Sequence, residues 1–279
     1  MFQRYTGKAW EERFLPRLTY REIAGLPKEE ALLILPIGAV EQHGPHMPVM
    51  TDALIGEAVL TRTMEVLPEE AKVWLLPPLA YGKSNEHLDF PGTISLSAAS
   101  LQGVISDIAA SVAQAGFRRL VLFNTHGGNT DLLNVAAREI RISTGLMVFS
   151  LSPGSLGAAH DLLSDEEKEY GIHAGDYETS LVMAIKPDWV HDDQLVREIP
   201  DLSGLDFLTL EGRIRFAWVM SDISSSGALG DATQATPAKG ELILERCAAT
   251  LAQALQELAM FEIGQVRSVQ REEMIVPEL

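Results

Sequence analysis

Four short apolar runs constrain this chain more than any other feature: Ala31–Ile37, Val73–Leu76, Leu120–Phe123 and Leu146–Leu151. Each is too short for a core helix and is bounded by glycine, proline or polar residues, the pattern of a buried strand. Helical spacing fills much of the intervening sequence, over Ala53–Val66, Ser97–Ala115 and Thr130–Ile142. Strand, loop and helix alternating at crossover length predicts an α/β fold with a mostly parallel sheet covered by helices on both faces. Further helices are expected near Thr19–Ala24 and Ser164–Tyr170, from Asp176 onward and over Lys239–Phe261. No repeat or linker-like break interrupts residues 1–279, so one domain is expected, with a charged tail at about 265–279.

Charge and cysteine usage narrow the function classes. A formal charge of −17 and a pI near 4.8 argue against a nucleic-acid face or an anionic membrane partner. The single cysteine, Cys247, sits in a helical pattern that reads as buried, and it permits no internal disulfide. The opening sequence lacks the apolar core of a signal peptide, and no run approaches the roughly eighteen apolar residues of a membrane span. A cytoplasmic protein handling a small molecule is the expectation.

In a parallel sheet the loops behind successive strands open on one edge, where α/β proteins place ligands. The loop after the first run, LPIGAVEQHGPHMPVMTD, carries Glu41, His43, His46 and Asp52, stiffened by glycines and prolines. Thr51-Asp52 reads as the cap of the next helix. The loop after the second run brings Ser84, Glu86 and His87, of which Glu86 and His87 are pocket candidates; Lys83 and Asp89 read as surface. His126 follows the third run directly, beside Gly127 and Gly128, which let the backbone pass close to whatever His126 touches. His173 and Glu178 stand at the start of a later helix, where a first-turn carboxylate also suits the dipole. His46 reads equally as a loop brace or as a contact and is left out of the site. The stretch SSSGALGDATQAT reads as flexible, near substrate or at an interface.

Three histidines with three carboxylates exceed the needs of a structural zinc site, which closes on four ligands with cysteine prominent. Mixed imidazole and carboxylate donors suit zinc, manganese or iron in a catalytic role. Two such ions sharing a carboxylate, about 3.5–4 Å apart, make a hydroxide nucleophile available at neutral pH and polarise a carbonyl.

LPIGAVEQHGPHMPVMTD, SNEHLDFPGT, FNTHGGN and HAGDYETS, in this order, resemble the creatininase (creatinine amidohydrolase) family over roughly residues 20–260. The resemblance implies a three-layer αβα sandwich, a centre of two divalent metal ions, hydrolysis of non-peptide C–N bonds, and a homo-oligomer, a hexamer among the options. By the same resemblance Glu41, His43, Asp52, His126 and Glu178 match the metal-ligand positions, with Asp52 as the bridge. His173 matches the histidine that carries a proton to the leaving nitrogen. The sequence departs from creatininase itself at Gly127 and Gly128, where that enzyme carries a tyrosine and a glutamate. The loss of a pocket carboxylate argues against creatinine as the substrate. The HGGN form is shared with members resembling formamide hydrolases, ring-opening hydrolases of keto-inositols and peptide-trimming maturases. Hydrolysis of a small polar amide, formamide or cyclic amide is the first expectation. Ring opening of a cyclic ketone and ligand binding without catalysis are its rivals.

Overall fold

The first apolar run forms strand β1, Leu32–Ile37, with all six residues buried. It belongs to a computed structural model that describes residues 6–212 and 214–266; the charged tail lies outside the described residues from 267 on. In chain order the helices and central strands are α1 (Gly7–Glu11), α2 (Tyr20–Ala24), β1, α3 (Thr51–Val66), β2 (Val73–Leu75) and α4 (Ala98–Gln114). There follow β3 (Arg119–Asn124), α5 (Thr130–Thr144), β4 (Met147–Leu151), α6 (Asp165–Tyr170), α7 (Asp176–Ile185), α8 (Met220–Ile223) and α9 (Pro237–Met260).

The central sheet has the order β2-β1-β3-β4 and every pairing in it is parallel. Alternate residues of β1 serve two cores. Leu33 and Leu35, with Leu120 and Leu122 of β3, pack under Leu101 and Ile105 of α4 and Leu133 and Ile140 of α5. Leu32 and Ile34, with Val121 and Phe123, pack against Leu54 and Val59 of α3, Leu181 of α7 and Leu251 and Leu255 of α9. A strand buried on both faces must be apolar at every position, which explains why these runs show no alternation. The three layers, helix, sheet and helix, follow directly.

The connections set where a ligand can sit. From β1 the chain moves outward to β2 through α3 on one face, then returns past β1 to β3 through α4 on the other. Reversing direction while keeping one crossover hand requires that change of face. The reversal leaves a crevice at the carboxyl ends of β1 and β3, which pair from Leu32↔Arg119 to Ile37↔Asn124.

Local signals place most helix ends. Ser97 caps α4 by accepting from the Ser100 amide, and Gly116 follows it at φ +93°. Thr236 caps α9 ahead of Pro237. Two expectations need correction. Thr51 and Asp52 do not precede α3 but form its first turn, with Met50 in the cap position. The stretch expected to be flexible is packed: Ala228, Leu229 and Ala232 are buried, and Leu229 pairs with His173 through two backbone hydrogen bonds. Small residues that looked loop-like in sequence are small because they fit under the site. Among the described residues no helix is long and apolar enough to cross a membrane.

Candidate metal centre

The loop after β1 is folded back on itself so that its polar side chains converge. The Glu41 amide donates to Val49 O at 2.9 Å, and Gly44 makes the return turn at φ +65°. A Cβ on Gly38 would stand 3.0 Å from Ala53 N, so this glycine lets the end of β1 touch the start of α3. On the neighbouring strand, the Asn124 side chain donates to His126 O at 2.8 Å, and Thr125 Oγ1 donates to Asp52 O at 2.8 Å. The turn bearing His126 is thereby tied to the helix bearing Asp52. Ala174, beside His173, adopts φ +53°, a left-handed conformation unusual outside glycine. The His173–Leu229 pairing holds that strained turn, and the Ala174 amide donates to Glu178 Oε2 at 2.7 Å.

Six side chains from four segments meet in the crevice. His43 Nε2 lies 3.3 Å from Asp52 Oδ1 and 3.8 Å from Glu178 Oε2. His126 Nδ1 lies 3.1 Å from Glu41 Oε1 and 3.5 Å from Asp52 Oδ2. His173 Nδ1 stands 3.5 Å from Glu41 Oε1. The groups Glu41–Asp52–His126, His43–Asp52–Glu178 and Glu41–His43–His173 each gather donor atoms close enough to share one cation. Asp52 turns one oxygen to each of the imidazoles of the first two groups.

The imidazoles are prepared for that role by their outer nitrogens. His43 Nδ1 lies 3.0 Å from Glu41 O, His126 Nε2 3.0 Å from Lys83 O and His173 Nε2 2.7 Å from Gln42 O. A carbonyl oxygen only accepts, so each of these nitrogens carries a hydrogen, and the inner nitrogen is the one left to face the carboxylates, its lone pair free for a cation once its proton is displaced. An outer hydrogen bond that fixes the tautomer is the usual support of a metal-ligating histidine. His43 Nε2 and Asp52 Oδ2 are buried and lack a hydrogen-bond partner, a costly condition that a shared cation relieves. The donor set therefore fits divalent metal ions.

The protein's own electrostatics describe the same demand. Burial, together with the Glu41 charge, pushes Asp52 up to about 7. Burial would lower His43, but Asp52, Glu178 and Glu41 outweigh it and raise it to about 10. His126 rises well above the usual range against its burial, through Glu41, Glu86 and Asp52. Burial likewise opposes the shift of Glu41, which His126, His173 and His87 hold well below the ordinary carboxylate range. His173 is driven well below its ordinary value by burial and by His43 and His87. Protons and cations compete for this cluster, and binding a cation displaces protons.

The residues singled out from the sequence are placed as follows. Glu41, His43, Asp52, His126, His173 and Glu178 come together at the centre. His87 is buried against them, its ring centroid 4.2 Å from that of His173. Glu86 lies outside the carboxylate cluster, with Oε1 3.5 Å from His126 Nε2. A Cβ on Gly128 would meet that Glu86 oxygen at 1.9 Å, whereas one on Gly127 would meet nothing within 4 Å. Close approach therefore requires glycine at 128 alone. His46 is buried behind the loop, its Nε2 3.0 Å from Thr179 Oγ1.

Reading Lys83 as surface is corrected: its Nζ pairs with Glu86 Oε2 at 2.9 Å, its carbonyl holds His126, and it lines the cleft. Ser84, named with its loop, donates its hydroxyl to Glu41 Oε2. Two groups were missed: Gln42 is buried among the histidines, and Arg215, Phe216 and Trp218 wall the cleft. The position of Gln42 between Glu41 and His43 was the available signal for it. The cleft above the cluster measures about 580 Å³.

Comparison with known proteins places the chain among relatives. The family model described as creatininase, creatinine amidohydrolase, matches residues 16–255. A mycofactocin precursor peptide peptidase from Mycobacterium ulcerans is 36% identical over 223 residues, 78% of this chain and 82% of that protein. Creatinine amidohydrolase from Pseudomonas putida is 34% identical over 262 residues, 88% of this chain and 96% of that protein. A solved structure of manganese creatininase matches with a TM-score of 0.70 at 32% identity, covering 88% of this chain and 97% of the other.

Proposed function

This chain belongs to the creatininase (creatinine amidohydrolase) family, and we propose from that premise that it hydrolyses the C–N bond of a small polar amide, formamide or cyclic amide. In this reading Glu41, Asp52 and His126 hold one divalent ion, zinc, manganese or iron. His43, Asp52 and Glu178 hold a second. The observation that carries the reading is Asp52, whose two oxygens face separate imidazoles at 3.3 and 3.5 Å, the disposition of a bridging carboxylate. Bound there, such ions supply Lewis acidity and lower the pKa of a water molecule.

The chain's own groups do the rest. His173 is the proton carrier. Its Nε2–H is held by Gln42 O, so Nδ1 is the basic nitrogen, and that atom faces Glu41. It takes a proton from the attacking water as the C–O bond forms and delivers it to the departing nitrogen as the C–N bond breaks. Phe216 and Trp218 give the cleft an apolar wall, and the ion pairs Lys83–Glu86 and Arg215–Asp131 give it polar edges, so a small polar substrate is both packed and oriented.

A specific feature favours a second reading, release of a residue from a peptide. Glu178 also lines two further clefts, of about 170 and 400 Å³, and neighbouring clefts share lining residues. The joined clefts leave room for a longer substrate to run past the centre, and the mycofactocin precursor peptide peptidase supports such a substrate by its name.

Metal content per chain tests the common premise. About two ions in the wild type and a large loss in Asp52→Ala are expected, and a wild type that takes up none on reconstitution overturns it. Formamides, lactams, short peptides and a cyclic keto-polyol then separate the readings. Amine release from the first two classes supports the amide reading. Cleavage of peptides alone, or ring opening without amine release, refutes it.

A further inference from the structure

Four buried histidines surround the centre, and one is wired differently from the rest. His43, His126 and His173 each give their outer N–H to a backbone carbonyl and turn the other nitrogen inward to the carboxylates. The outer nitrogen of His87, Nδ1, instead lies 2.9 Å from the side-chain nitrogen of Gln42. Two backbone contacts of opposite polarity fix the orientation of that amide. Gln42 Oε1 accepts from the Gly44 N–H at 2.9 Å, and Gln42 Nε2 donates to Gly227 O at 2.8 Å. Turning the amide over would set an oxygen against a carbonyl and an amino group against an N–H. His173 Nε2 lies 3.3 Å from the same amino nitrogen but carries its own hydrogen, given to Gln42 O, and so does not accept. The second hydrogen of the amino group therefore points to His87, and His87 Nδ1 is the acceptor.

An imidazole that accepts at Nδ1 is neutral and carries its hydrogen on Nε2. The inner edge of His87 thus presents an N–H, not a lone pair. Its Nε2 is 3.9 Å from Glu41 Oε2, beyond hydrogen-bond reach, and His87 lines the cleft over the carboxylate cluster. Among the described residues that hydrogen has no acceptor within hydrogen-bond distance. A fixed donor of this kind, oriented before substrate arrives, is most useful where negative charge develops on an oxygen.

We propose that His87 is a catalytic residue, its Nε2–H donating to the substrate carbonyl oxygen as it becomes anionic, with Gln42 the positioning residue that sets its tautomer. The proposal rests on the amide-hydrolysis reading for its substrate. The four histidines then divide the work: lone pairs at His43 and His126 for cations, a basic nitrogen at His173 for the proton, and a hydrogen at His87 for the oxyanion.

Zinc-loaded protein labelled with ¹⁵N-histidine tests the tautomer without any substrate. A bare Nδ1 and a protonated Nε2 are expected for His87, assigned by loss of the signals in His87→Phe. A proton on Nδ1 overturns the proposal whatever the enzyme hydrolyses. Kinetics test the role. His87→Phe should keep its zinc and lose about 10²–10³-fold in kcat on the best amide of the panel, the usual cost of one such donor. Zinc content unchanged with kcat within about threefold of wild type would overturn it. Binding of acetohydroxamate, a carbonyl ligand of metal hydrolases, supplies a third readout, expected to weaken about tenfold in His87→Phe. If no amide is turned over, the amide reading fails. The tautomer and the acetohydroxamate affinity then still decide whether His87 donates into the cleft, and unchanged affinity rejects it.

Discussion

Adding one methyl group beside His126 should disable the centre, and adding it one residue earlier should do nothing. Neither Gly127 nor Gly128 has a positive φ, so alanine strains the backbone at neither position and only the surroundings differ. A Cβ at 127 meets nothing within 4 Å. A Cβ at 128 would stand 1.9 Å from Glu86 Oε1, 2.5 Å from His126 Nε2 and 3.0 Å from Lys83 O. The Glu86 carboxylate ends a flexible side chain and can swing away. The His126 ring cannot do so freely, because Nε2 is bonded to Lys83 O at 3.0 Å and Nδ1 faces Glu41 at 3.1 Å. Ordinary contact would require the ring to retreat by roughly 1 Å, a displacement that costs about 10²-fold where geometry governs rate. Overpacking of a tight site costs about 1–3 kcal/mol of stability. Gly128→Ala should therefore lose that much in a denaturant titration and bind zinc about 10–100-fold more weakly. Gly127→Ala should stay within about 0.5 kcal/mol of wild type with unchanged zinc. Elemental analysis at buffered free zinc reads the difference. If Gly128→Ala binds zinc as tightly as Gly127→Ala, the placement of His126 as an inward-facing ligand is refuted.

Asp52→Ala should abolish both bound metal and turnover, whereas His173→Ala should retain its metal and lose about 10²–10⁴-fold in kcat; retention of metal by the first variant or loss from the second reverses the assignment. Gly240→Ala should destabilise the protein by at least about 1–3 kcal/mol, because the added carbon would meet the Ser180 carbonyl of α7 at 1.8 Å and force α7 from α9; an unchanged thermal midpoint contradicts this. Glu198 accepts from the Ser225 amide at 2.6 Å and the Ser226 amide at 2.9 Å. Burial opposes the shift, but those bonds and the hydroxyls of Ser226 and Ser224 lower it to about 2. A carboxylate with a depressed folded value stabilises above its ordinary pKa, near 4.5, and that stability is lost as pH falls towards 2. With solvent screening the effect is about 1 kcal/mol. It should appear as falling exchange protection at the Ser225 and Ser226 amides, corrected for intrinsic rates, and should be absent in Glu198→Gln.

What could be read from the sequence was whatever a residue declares locally. The apolar runs declared β1 and β3 because strands covered on both faces have no polar side, and the loops behind them declared by chemistry the imidazoles and carboxylates that converge in the crevice. Gln42 declared only its place between Glu41 and His43, not its role. Its meaning lies in partners at positions 87, 173 and 227, and the polarity of those contacts depends on two backbone groups that no local pattern locates. The stretch from Ser224 to Ala232 misled for the same reason. Serine, glycine and alanine suit a mobile loop, but they also suit a packed turn whose hydroxyls and amides are taken up by Glu198 and whose carbonyl at Gly227 anchors Gln42. Lys83 read as surface because half its contribution is a backbone carbonyl, which sequence cannot distinguish from any other.

Asp52 shows how a small misplacement carries chemical weight. As a cap ahead of α3, its carboxylate would accept from the amides of the first turn and have little left to offer. The structure gives the cap position to Met50, whose side chain makes no capping bond, and starts the helix at Thr51. Thr51 turns its hydroxyl back to Pro48 O at 2.7 Å, which steadies the turn without involving Asp52. Asp52 is thereby freed. It stands in the first turn of a sixteen-residue helix, where the dipole favours an anion, and is buried where the charge of Glu41 disfavours one. A carboxylate that no amide satisfies, with one oxygen turned to each of two imidazoles, is what a bridging ligand requires and what a helix cap would have consumed.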